Sequence, residues 1–112
     1  MTDPAGPTPV RRTIRLTLAY EGTRYSGWQM QPGRQTVQGT LAAAIRGISG
    51  EEVVPRGASR TDAGVHSLGQ VVGFTTESSL EPERWMRALN ARLPADIAVL
   101  ESAEAEIGRA HV

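Results

Sequence analysis

The sequence predicts an α+β fold: an antiparallel sheet of four strands with two helices packed on one of its faces. Three observations lead there. Four segments have the alternation or apolar content of strands, and two have the 3.6-residue repeat of amphipathic helices. Glycine, proline and small polar residues separate them. Their order along the chain is β-α-β-β-α-β, the split arrangement of ferredoxin-like domains.

The first strand is expected over residues 13–20, where Ile14, Leu16, Leu18 and Tyr20 point one way and Arg15, Thr17 and Ala19 the other. A long loop follows over 21–35, with three Gly, one Pro and three Gln. A loop of that length in a small domain points to function. Thr36 is placed to cap a helix carrying Val37, Leu41, Ala44, Ile45 and Ile48 on one face, and Gly50 ends it. Residues 53–58 predict a second strand, weakened by Pro55 and Gly57. Residues 59–69 read as a second loop, and 70–75 as a third strand built on Val71, Val72 and Phe74. Pro82 opens a second helix with Trp85, Met86, Leu89 and Leu93 along its stripe; Asn90 and Pro94 are expected to close it. Residues 97–100 supply the fourth strand.

Composition narrows the function. At 112 residues the chain suits one small domain or half of a larger one. Only 4% of residues are aromatic, so aliphatic side chains must supply most of the core. With no cysteine there is neither a disulfide framework nor a thiolate metal site. The two histidines, His66 and His111, are too few for a multi-histidine metal centre, and no metal or cofactor is expected. No apolar run reaches the roughly 18 residues of a membrane span. A cytoplasmic protein is expected. The net charge is zero, yet residues 1–60 hold eight Arg and four acids while 61–112 hold four Arg and eight acids. A basic front half could face nucleic acid; the all-arginine usage also fits a GC-rich genome.

Two loops hold the residues able to do chemistry. In Ser-Arg-Thr-Asp-Ala-Gly-Val-His (59–66), Arg60 and Asp62 flank Thr61, and His66 follows. From the residues alone the simpler reading of Asp62 is structural, a turn-capping carboxylate near an arginine. An accessible Asp can also act as nucleophile or base. His66 reads first as a hydrogen-bonding turn residue. In YEGTRYSGWQMQP (20–32), Tyr25 and Trp28 could stack on bases while Arg24 and Arg34 hold phosphates; Trp28 could equally anchor the loop in the core. Neither a phosphate-binding GxxxxGK[ST] loop nor a GxGxxG occurs.

Taken together, YEGTRYSGWQMQP (20–32), QTVQGTL (35–41), SRTDAGVHSLGQVVGF (59–74) and ALNARLPADIAV (88–99) resemble the N-terminal half of the bacterial tRNA pseudouridine synthase A family, in order and spacing, over roughly residues 13–100. The resemblance implies an isomerase that converts uridines of the tRNA anticodon stem-loop to pseudouridine, without a cofactor, as a homodimer. Each subunit would hold two ferredoxin-like halves with the active site between them. It assigns Asp62 as the catalytic carboxylate and places Arg60 at the flipped-out nucleotide and the RNA backbone. Thr61, His66, Arg24 and Trp28 are further RNA-binding candidates by their residue types and their place in the two loops. Ser59 departs from the glycine usual in the family. The rival readings are a non-catalytic RNA-binding module of the same fold and a small structural or regulatory domain.

The two ends stand apart. Residues 1–12 read as a disordered, proline-rich leader, with the domain over 13–105. Residues 106–112 continue no pattern and read as a non-native or truncated tail, like translated sequencing adapter. On that reading the basic and aromatic residues that the family supplies later in its chain have no counterpart here, and the 112 residues alone are expected to be inactive.

Overall fold

A computed structural model describes residues 11–59 and 61–105. The chain runs through β1 (Arg12–Tyr20), a single turn of 3-10 helix (Gly22–Arg24), α1 (Val37–Ser49), β2 (Arg56–Gly57), β3 (Ser67–Thr76), α2 (Pro82–Arg92) and β4 (Ile97–Ala105). The sheet order is β2-β3-β1-β4 with every pairing antiparallel. That is the predicted ferredoxin-like α+β arrangement.

Alternation along the strands decides where the core lies. Ile14, Leu16, Leu18 and Tyr20 of β1, Val72 and Phe74 of β3, and Ile97 and Val99 of β4 are all buried. They form one apolar cluster with Val37, Leu41 and Ile45 of α1 and with Trp85 and Leu89 of α2. Both helices therefore close the same face of the sheet. Trp85 meets Phe74 edge to face, with ring centroids 5.0 Å apart, a favoured aromatic geometry. The opposite face carries Arg15, exposed, and Thr17, half-buried, paired with Gly73 and Val71 of β3.

The ends of α1 are those expected. The Thr36 hydroxyl accepts the Gly39 amide at 3.2 Å, and Gly50 closes the helix in the left-handed conformation with its amide on the Arg46 carbonyl. Pro82 occupies the first turn of α2. Asn90 does not end α2, as expected from sequence, but lies inside it. Its side chain accepts the Val99 amide at 2.8 Å and donates to the Val99 carbonyl at 3.0 Å, tying α2 to β4.

The strands differ from expectation in length. The second shrinks to two residues: Pro55 has no N–H to give a ladder, and its carbonyl accepts the Gln38 side chain at 2.7 Å instead of pairing with a strand. β3 begins at Ser67, three residues earlier than predicted, and β4 runs on to Ala105, because β1 pairs with both along nearly its whole length. Arg12 belongs to β1 and not to a leader. Its guanidinium bonds Glu104 at 3.1 Å and the carbonyls of Ser78 and Leu80, which secures the β3–α2 connection. Residues 1–10 of the expected leader and the expected tail, 106–112, lie outside the described residues.

Two substitutions test this account by chemical denaturation of the chain. Thr36→Ala removes the α1 cap and should cost about 1 kcal/mol. Trp85→Ala empties the centre of the core and should cost about 3–5 kcal/mol.

Candidate active site

Three loops meet at one end of the sheet: 21–36 after β1, 58–66 before β3, and 93–96 before β4. Their meeting follows from the register. Tyr20, the last residue of β1, pairs with Ser67, the first residue of β3, and with Ile97, the first of β4. An irregularity between Leu18 and Tyr20 re-aims β1 at this point.

Asp62 sits at the head of a turn in which its carbonyl accepts the Val65 amide at 3.1 Å. Gly64 has φ 80°, the left-handed value that a type II turn needs at its third position. The carboxylate is solvent-exposed, and among the described residues no hydrogen-bond partner holds it. The backbone beneath it, by contrast, is pinned. The Trp28 amide donates to the Thr61 carbonyl at 3.1 Å, and the Gly64 amide to the Tyr25 carbonyl at 3.2 Å. The Thr61 and Tyr20 hydroxyls lie 2.9 Å apart. The Gly22 amide donates to His66 Nδ1 at 2.8 Å. That bond makes Nδ1 the acceptor and leaves the proton of the neutral ring on Nε2.

Gly22 is what lets the loops approach. A Cβ there would lie 2.0 Å from the Val65 carbonyl oxygen, inside any allowed contact. Beside this contact a cleft of about 520 Å³ opens, lined by Tyr20, Glu21, His66, Leu68, Asp96 and Ala98 among others. Leu68 is 87% exposed at its rim.

The remaining predicted residues divide. Trp28 is only 2% exposed and belongs to the core cluster, as the core-anchor alternative expects; it plugs the loop onto the sheet. Tyr25 is buried too. Arg24 is not a free cation, because its Nε and Nη2 both donate to Asp96 Oδ2, at 3.0 and 2.8 Å. Arg34 is exposed, as a phosphate contact would need. Arg60 lies outside the described residues. Ser59, the departure from the family pattern, is accommodated: its hydroxyl donates to the Gln70 side chain at 3.1 Å.

Asp96 was not singled out from sequence. Its Oδ1 accepts the Tyr25 hydroxyl at 2.6 Å, its Oδ2 accepts Arg24, and its backbone carbonyl accepts the Glu21 amide at 2.9 Å. Burial pushes the Asp96 carboxyl up, but the bonds from Tyr25 and Arg24 and the charge of Arg24 outweigh it, so its pKa is lowered. Burial, then the bond to this carboxylate, push the Tyr25 hydroxyl up to about 12. The signal available in the sequence was its position, an acid between a helix-ending Pro94 and the first apolar residue of a strand.

Similarity to known proteins agrees with this geometry. The family model for tRNA pseudouridine synthase matches residues 16–112. The chain belongs to the tRNA pseudouridine synthase family. It is 54% identical over 93 residues to the tRNA pseudouridine synthase A of Moorella thermoacetica, covering 81% of this chain and 38% of that protein. It is 49% identical over 96 residues to the enzyme of the same name from Caldicellulosiruptor saccharolyticus, covering 86% of this chain and 39% of the relative. A third relative of that name, from Maridesulfovibrio salexigens, is 48% identical over 89 residues. The chain thus spans well under half the length of the relatives it matches. Among the described residues no helix is long and apolar enough to cross a membrane, and no cluster of His, Cys, Asp and Glu could hold a metal ion.

Two outcomes are expected of this loop assembly. Gly22→Ala should separate the loops and lower the thermal midpoint, with losses in amide protection concentrated at residues 61–66. Because the folded-state pKa of Asp96 lies below its unfolded value, its contribution is present above the unfolded pKa and is lost as pH falls through the folded one. Thermal melts taken from neutral pH down through the acid range should show the loss, and Asp96→Asn should flatten that part of the profile.

Proposed function

We propose that this chain carries the catalytic carboxylate, Asp62, of a tRNA pseudouridine synthase, and that it is the front part of that enzyme. The observation that carries the reading is the contrast at Asp62: an exposed carboxylate on a backbone pinned from both sides. A structural turn carboxylate would be expected to bond its own turn. Family membership supports the reaction, and the coverage of 38% and 39% supports a larger whole.

The chemistry fits a single carboxylate. Isomerisation breaks the C–N glycosidic bond of a uridine, turns the uracil, joins its carbon to the ribose and releases the proton that carbon bore. The base must first leave the stack. Asp62 can add to the ribose or the base, or take a proton from the ribose; all three routes need a fixed, accessible oxygen and no metal. His66 presents Nε2–H as a donor beside the cleft, suited to an RNA carbonyl or phosphate oxygen. The Thr61 hydroxyl is shared with Tyr20 and positions the loop. Arg60 is assigned to the RNA backbone by the resemblance alone. Arg24 keeps an exposed guanidinium edge while held by Asp96, which leaves it a fixed phosphate contact. The resemblance also supports a cytoplasmic homodimer acting on the anticodon stem-loop.

The test is tritium release from tRNA labelled at the uracil carbon that forms the new bond. The complete protein should turn over, the 112-residue chain alone should not, and Asp62→Ala in the complete protein should abolish release while retaining tRNA binding. Release by Asp62→Ala at the unsubstituted rate would remove Asp62 from the reaction, whereas tRNA binding by the complete protein with no release at all would leave a non-catalytic RNA-binding module as the better reading.

A further inference from the structure

The Asp62 loop leans on the 3-10 turn at Gly22–Arg24 and its following residue, and that turn has little holding of its own. Glu21 offers no side-chain cap to it, and its one internal bond is the Tyr25 amide to the Gly22 carbonyl at 3.0 Å. Yet both ends of the turn touch the loop. Gly22 donates to His66 and packs on the Val65 backbone, while the Tyr25 carbonyl receives the Gly64 amide. Whatever fixes the turn fixes the loop.

Asp96 grips the turn at three places: Glu21 through its own carbonyl, Tyr25 through Oδ1 and Arg24 through Oδ2. The residue is itself anchored, since Ile97 beside it pairs with Tyr20 and donates its amide to the Pro94 carbonyl at 3.1 Å. Its side chain is only 11% exposed, whereas Arg24 is 66% exposed. The carboxylate therefore faces inward onto the turn, with Arg24 as its cover. This is not a free surface ion pair of negligible worth, because a neutral, buried hydroxyl shares the same carboxylate.

We propose that Asp96 is a positioning residue for the reaction, acting through Tyr25 and the 22–25 turn to hold the Asp62 loop in register. The inference rests on the reading of Asp62 as the catalytic carboxylate. The chain of contacts is Asp96 to the Tyr25 hydroxyl, Tyr25 carbonyl to the Gly64 amide, and Gly64 to Asp62 within one turn. A displacement of about 1 Å at a reacting group can lower a rate about a hundredfold. Loosening this chain thus acts on turnover before it acts on tRNA affinity.

The experiment uses the complete protein with Asp96→Asn, Tyr25→Phe and the double substitution. Tyr25→Phe should lower kcat about 10–100-fold while KM for tRNA stays within about twofold; Asp96→Asn should lower kcat by a similar factor and also raise KM, because it releases Arg24. The double variant should be no worse than the poorer single one, because both act on one link. Amide exchange should quicken at Gly64 and Val65 but not at Leu16 or Val72. Tyr25→Phe removes only a hydroxyl, so it carries the test if Asp96→Asn does not fold. A lowered thermal midpoint with unchanged kcat would overturn the proposal and make the cluster merely structural. Full turnover by Asp62→Ala would overturn the reading beneath it, an outcome distinguishable from failure of the Asp96 link alone.

Discussion

The close passage of Gly22 against the backbone of Val65 is the constraint on which this end of the molecule depends. Two irregular loops lie main chain to main chain there, and each satisfies polar groups of the other: Gly22 to His66, Trp28 to Thr61, Gly64 to Tyr25. Irregular segments packed main chain to main chain would ordinarily leave unpaired amides and carbonyls where they shut out water. Here they act like a small piece of sheet, without strand geometry. The outcome is a rigid mount for an acid whose carboxylate bonds none of the described residues.

The mount extends into the ordinary core. Trp28 fills the space under the loop, and its backbone carries two of the connections, one to Thr61 and one to Gln38 of α1. Tyr20 ends β1 inside the core yet reaches Thr61 with its hydroxyl. The residues that seemed suited to stacking on RNA instead join the apolar cluster to the Asp62 loop. This follows the general requirement that a reacting group be held by side chains whose own positions are fixed by packing.

How much was legible in the sequence depends on which force decides each feature. Alternation and helical repeat revealed the order of elements, because the sheet has a single buried face and each slip would expose it. Thr36, Gly50 and Pro82 were readable because their roles are local. The length of β2 was not, since it turns on a tertiary bond between Gln38 and Pro55. The role of Asn90 was missed for the same reason, its partner lying nine residues on in β4. In the site, the block containing Asp62 stood out through resemblance, not through spacing. Sequence alone left open whether Trp28 and Tyr25 face in or out, because an aromatic in a polar loop has the same composition either way; both are buried. Asp96 offered only its position, because its partners are more than seventy residues away.

The crossing of the two loops also bears on how such a domain can change over time. Segments on a protein surface usually gain or lose residues freely, each without regard to the others. Segments 21–35 and 59–66 cannot, because two backbone links and the bond from Gly22 to the His66 ring, spaced along both, must stay in step. One inserted residue between Gly22 and Trp28 would set the far links out of phase with Thr61, Gly64 and His66. The pair therefore behaves as a single inheritable unit of fixed length, and a chimera between relatives would have to exchange both loops together.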